Sequence, residues 1–127
     1  MTENEIATII VDSAFKIHKT LGPGLLESVY QATLNYELKK RGLPVVQQVG
    51  LPVQYEEVKL EIGFRVDLIV GDKVVIEIKS VEALAAVHRK QLATYLRLMD
   101  LRLGLLLNFN VGLMKNGIQR VVNRLAE

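Results

Sequence analysis

The chain has 127 residues, 50% of them hydrophobic and 24% charged, with a formal charge of +2 at pH 7. That length suits a single domain over residues 1–127, and the composition argues against disorder. The absence of cysteine excludes disulfides, thiolate-bound zinc and iron–sulfur clusters, and two histidines, His18 and His88, are too few for a histidine-based zinc site without carboxylates.

Thr2 and Glu5 fit a capping box that opens a helix. Ile6, Ile9, Ile10, Ile17 and Leu21 then form one helical stripe, which Gly22-Pro23-Gly24 ends. A second helix is expected from about Leu25 to Arg41, closed by Gly42, with Leu26, Val29, Tyr30 and Leu34 on its apolar face and Glu27 at the margin. Alternation along a first strand puts Val49, Leu51, Val53 and Tyr55 on one face, and Pro52 suggests a sheet edge. A long second strand puts Leu60, Ile62, Phe64, Val66 and Leu68 on one face, with Arg65 and Asp67 on the other. A third strand runs from Val74 to Lys79.

A third helix is expected over roughly Glu82 to Met99. Its stripe of Leu84, Val87, Leu92, Leu98 and Met99 has His88, Gln91 and Tyr95 in its middle. Leu103 to Phe109 reads as a central strand covered on both sides. After a turn at Asn116-Gly117, a short strand over Ile118 to Asn123 closes the chain. This order predicts a mixed α/β layer structure: a meander first, a helical crossover later.

The chemistry lies in charges within otherwise apolar strands. Glu77 and Lys79 are two residues apart and share a face. Whether Asp67 joins them depends on the hairpin. A two-residue loop, Gly71-Asp72, sets Asp67 opposite Ile76, whereas a three-residue loop, Gly71 to Lys73, sets it opposite Glu77. We expect the three-residue loop, or a bulge of equal effect. Asp67, Glu77 and the Ile78 carbonyl would then hold Mg2+ (or Mn2+), with Lys79 beside the attacking water. Gln91 and Tyr95 are placed to reach that water, a phosphate or Lys79, and Glu27 to add a third carboxylate. The competing account is plainer: a cross-strand salt bridge of Lys79, Gln91 bonded to backbone, Tyr95 and Tyr30 in the core, His88 packed, and Glu27 favoured by the helix dipole.

At this point the residues resemble a known family. Gly24-Leu25-Leu26-Glu27-Ser28-Val29-Tyr30 is similar to the pattern of the GxxExxY proteins, of the PD-(D/E)XK nuclease-like superfamily. Asp67 followed by Glu77-Ile78-Lys79 resembles the superfamily's acid…(D/E)xK motif, and Gln91-Leu92-Ala93-Thr94-Tyr95 the QxxxY motif of its RecB-like branch. Val66 stands before Asp67 where the motif has proline. The resemblance extends from about His18 to Asn123. It implies a restriction-endonuclease-like αβββαβ core, a mixed central sheet flanked by helices, with an extra N-terminal helix and a short C-terminal strand. It also implies a catalytic set of Glu27, Asp67, Glu77 and Lys79, supported by Gln91 and Tyr95.

The function expected from these residues is Mg2+-dependent phosphodiester hydrolysis, on DNA ahead of RNA. The alternative is a non-catalytic nucleic-acid- or protein-binding module that keeps the nuclease fold. Phosphate contacts would come from Lys39-Lys40-Arg41, Arg89-Lys90, Arg97, Arg102, Arg120 and Arg124, although each cluster alone also reads as a solvated helix end or face. The N-terminus is acidic and no apolar stretch reaches the ~20 residues a membrane span requires, so a cytoplasmic protein without membrane contact is expected. The high apolar share and small size favour a homodimer that shares the cleft.

Overall fold

The computed structural model describes residues 1–126, Ile62 by its backbone alone. Helix α1 spans Glu3–Leu21. Its capping box forms: Glu5 N–H donates to Thr2 Oγ1 at 3.1 Å and Thr2 N–H to Glu5 Oε1 at 2.9 Å. Gly22 ends it at φ 71, a left-handed angle that favours glycine. Helix α2 spans Glu27–Lys40 and buries Tyr30, Leu34 and Leu38. Leu26 and Val29, expected on the same face, are exposed. Tyr30 and Leu34, four residues apart, continue to Leu38 along one side of the helix, and Leu26 precedes its first turn.

Strands β1 (Val45–Tyr55), β2 (Val58–Val70) and β3 (Val74–Lys79) form an antiparallel meander. Helix α3 (Ala86–Met99) crosses over to β4 (Leu103–Asn108), which lies parallel to β3 and is buried throughout. A 3-10 turn at Met114–Gly117 leads into β5 (Ile118–Val122), antiparallel to β4. The five strands lie in sequence order, so β1, which carries Pro52, is an edge.

The sheet separates two apolar layers. On one side α1 and α2 pack over Leu68, Val70, Val74, Ile76, Ile78, Leu103, Leu105 and Leu107. On the other, Leu92 and Leu96 of α3 pack over Val66, Val75, Leu106 and Val121. Gly104 makes that approach close: a Cβ there would lie 2.9 Å from Leu92 Cδ1. No helix among the described residues is long and apolar enough to cross a membrane.

Two expectations about faces are corrected. Val66 packs beneath α3 while Leu68 packs beneath α1 and α2, so β2 does not keep one face from Leu60 to Leu68. The strand changes face at Asp67. The stripe of α3 is also rotated. Leu92 and Leu96 are buried, with Tyr95 and Met99 packed alongside, whereas Val87 and Leu98 are exposed. Successive helical residues turn by about 100°, so a stripe centred on Leu92 and Leu96 turns Gln91 towards water, and Gln91 is exposed.

Candidate functional site

The hairpin between β2 and β3 takes the three-residue loop. Val70 pairs with Val74, Ile69 with Val75 and Leu68 with Ile76. Gly71 at φ 60 and Asp72 at φ 60 supply the left-handed turn. The next two residues in that register are Asp67 and Glu77, and there the backbone ladder stops.

Side chains replace the ladder. Asp67 N–H donates to Glu77 Oε1 at 3.3 Å, and Ile78 N–H donates to Asp67 Oδ2 at 2.8 Å. Backbone groups alternate sides along a strand, so the Ile78 carbonyl faces β2 with its N–H. Asp67 and Glu77 therefore converge, with a backbone oxygen directed to the same gap. Glu77 is 7% exposed. Burial, and then the charge of Asp67, push its carboxyl up to about 8, against a smaller opposing effect of Lys79.

Lys79 follows on the same face of β3, half-buried. Among the described residues it forms no ion pair, so the cross-strand salt bridge is absent. Its ammonium is available to a ligand. Tyr95 closes the α3 side, its ring stacked on Phe64 at 4.2 Å between centroids. Burial and then the charges of Glu77 and Asp67 raise its phenol pKa, which places it within electrostatic reach of both acids.

Glu27 does not join the acid pair. Its Oε1 accepts the Ser80 N–H at 3.3 Å, and no trio of acidic or histidine side chains placed to hold a metal is present among the described residues. The reason is local: Glu27 opens α2 on the opposite layer, and Ser80 Oγ donates to Leu25 O at 2.7 Å, which ties the end of β3 to that helix start. Gln91 has no hydrogen bond among the described residues and lies on the outer side of α3. His88 Nδ1 accepts the Ala85 N–H at 3.0 Å and caps α3.

The GxxExxY-like segment has a structural explanation. Gly24 takes φ 95. Tyr30 stacks on Phe109 at 4.4 Å, donates its hydroxyl to Gly22 O at 2.6 Å and accepts the Leu25 N–H at 3.1 Å. The tyrosine thus pins the loop that delivers Glu27 to Ser80.

Three residues were not expected at the site from sequence. Gln48 donates to Asp67 Oδ1 at 3.3 Å and to Gln31 Oε1 at 2.7 Å. Asn108, at the end of β4, grips Val81 through both backbone groups, at 3.1 and 2.9 Å, and so fixes the loop after Lys79. A polar residue ending an apolar strand was the available signal for Asn108. Nothing in the spacing marked Gln48 or Gln31.

The sequence pattern of the PD-(D/E)XK nuclease superfamily matches residues 4–121. The chain belongs to that superfamily. Its mixed sheet, flanking helices and N-terminal helix agree with the restriction-endonuclease-like fold. No curated protein and no solved structure matches the chain. For a PD-(D/E)XK protein, the acid…ExK residues Asp67, Glu77 and Lys79 sit together where β2 and β3 part. The donor set fits a hard divalent cation: two carboxylates crowd one gap, and Glu77 is held back from ionising by burial and then by the charge of Asp67.

Proposed function

We propose that the chain is a divalent-metal-dependent nuclease that hydrolyses phosphodiester bonds, in DNA ahead of RNA. The observation that carries this reading is the convergence of Asp67 and Glu77 at the break in the β2–β3 ladder, with Lys79 beside them and in no ion pair among the described residues. Its GxxExxY-like segment supports placing it in that branch.

Asp67, Glu77 and the Ile78 carbonyl would hold Mg2+ or Mn2+. The bound ion would offset phosphate charge and make water a stronger acid. Lys79 donates a hydrogen bond to the attacking water or to a phosphate oxygen, where negative charge develops. The water oxygen forms the new P–O bond and gives up a proton to solvent, the ester P–O bond breaks, and the departing oxygen takes a proton from solvent. Tyr95, stacked on Phe64, walls the acid pair on the α3 side. Glu27 supports the site indirectly, by holding Ser80 next to Lys79.

Exposed Lys39 and Lys40 are suited to phosphate contacts. Arg41 is less so, since Asp12 at 2.6 Å and Glu37 at 3.4 Å already engage it. The reading includes a homodimer. On the β1–β2 hairpin, Val53 pairs with Leu60 and Tyr55 with Val58, an apolar face beside exposed Glu56, Glu57 and Glu61. Their charge complements Arg89, Lys90 and Arg97 on α3 of a second copy. Light scattering should report two chains, and a monomer would remove this part.

Plasmid nicking in Mg2+ or Mn2+ tests the reading. The wild-type chain should cleave and Lys79→Ala should not. A binding module is the second reading, favoured by exposed Gln91 and by Glu27 standing apart from the acid pair. Metal binding without cleavage of any nucleic acid would select it.

A further inference from the structure

Gln48 occupies an unusual place in β1. It has φ 50, a left-handed angle in the middle of a strand and at a residue other than glycine. Gln47 pairs with Leu68 and Val49 with Val66, so Gln48 stands opposite Asp67. That is the level at which β2 changes face, and β1 turns with it. Backbone strain of this kind persists where the surroundings over-determine it.

Both amide hydrogens of Gln48 have a use. One goes to Asp67 Oδ1 at 3.3 Å and the other to Gln31 Oε1 at 2.7 Å. Gln31 Nε2 in turn donates to Gln47 Oε1 at 3.3 Å. Chemistry fixes the amide orientation, because a flipped Gln48 would set its oxygen against a carboxylate. With Ile78 N–H on Oδ2, both oxygens of Asp67 are held. One bond comes from the neighbouring strand, and the other runs through Gln48 to α2.

We propose that Gln48, anchored by Gln31, is a positioning residue for the metal site: it fixes the Asp67 carboxylate, so that affinity for the cation depends on the contact between α2 and β1. This rests on Asp67 being a metal ligand. Partners that orient a ligand generally change metal affinity by roughly 10–100-fold when removed.

The test uses the full chain, Mn2+ as probe and calorimetry as readout. Gln48→Gly is the informative variant, because glycine accepts φ 50 and only the amide is lost. Its metal-free melting temperature should match or exceed that of the wild type, while the Mn2+ Kd rises about tenfold. Gln31→Leu should raise the Kd by a smaller factor. The double variant should be no worse than Gln48→Gly alone, since both act through one relay. Wild-type Mn2+ binding that Asp67→Ala abolishes, with an unchanged Kd in Gln48→Gly, would overturn this proposal and leave the metal site standing. A wild-type chain that binds no Mn2+ would overturn both.

Discussion

Strand β3 has two neighbours and treats them differently. Against β4 it pairs along its whole length, from Val74 with Leu103 to Lys79 with Asn108. Against β2 it pairs only from Val74 to Ile76, and then the ladder stops. The closed side is β4, buried throughout and aliphatic but for Gly104 and Asn108. The open side has Asp67 and Glu77 filling the gap, each carboxylate accepting a backbone N–H of the other strand. The comparison teaches how a small sheet makes a cation site. Pairing on one side supplies rigidity, and interrupted pairing on the other frees a carbonyl and two carboxylates.

The strongest way to break this contrast is to remove Lys79. Lys79→Ala should lower metal-dependent cleavage by about 10²–10³-fold, as loss of a group that stabilises developing charge does. Mn2+ binding should persist. On the closed side, Leu105→Ala should instead cost stability, about 2–5 kcal/mol by chemical denaturation, because Leu105 is buried beneath α1 and α2. Loss of cleavage with a normal melting temperature in the first variant, and the reverse pattern in the second, would separate the two sides.

Acidity sharpens the contrast further. Glu77 stands at about 8 in the folded chain, against an ordinary 4.5. The folded state therefore keeps a proton that the unfolded chain releases above about pH 4.5. This contribution to the stability of the metal-free protein is fullest below that pH and falls as pH rises towards about 8, by a few kcal/mol in all at about 1.36 kcal/mol per unit. Thermal melts across that range should show the decline, and Glu77→Gln should flatten it. Millimolar Mn2+ should restore stability at the alkaline end, because a cation stands in for the proton.

Smaller effects are expected around the rim. Glu27→Ala removes one long, exposed hydrogen bond to Ser80, so stability should fall by less than about 1 kcal/mol and cleavage by less than about tenfold. A loss as large as that of Asp67→Ala would make Glu27 a metal ligand after all. Smallest is Gln91→Ala. An exposed helical side chain without a partner among the described residues should change cleavage less than about twofold and stability within about 0.5 kcal/mol.

Much of this was legible in the chain. The capping box, the glycine stops, the edge proline and the apolar β4 all follow from local rules, each set by a few neighbouring residues, whereas local rules leave the β2–β3 loop open between two and three residues. Asp67, Glu77 and Lys79 were readable because charges are expensive inside a sheet and therefore stand out. Other features depend on contacts between distant segments. The face change at Asp67 has no period to betray it, since Val66 and Leu68 are both apolar. Gln48 carries its left-handed turn without the glycine that would signal it. A stripe that includes Val87 and Leu98 has Gln91 at its centre, and only the packing of Leu92 against Gly104 fixes how α3 is rotated.

Calorimetric titration of the wild-type chain with Mn2+ at about pH 6.5, repeated in buffers of different ionisation enthalpy, tests the acid pair most directly. The account predicts one ion per chain, close to one proton released as Glu77 ionises, and no binding in Asp67→Ala. Binding that Asp67→Ala leaves intact, or no uptake of Mn2+ at millimolar concentration, would contradict it.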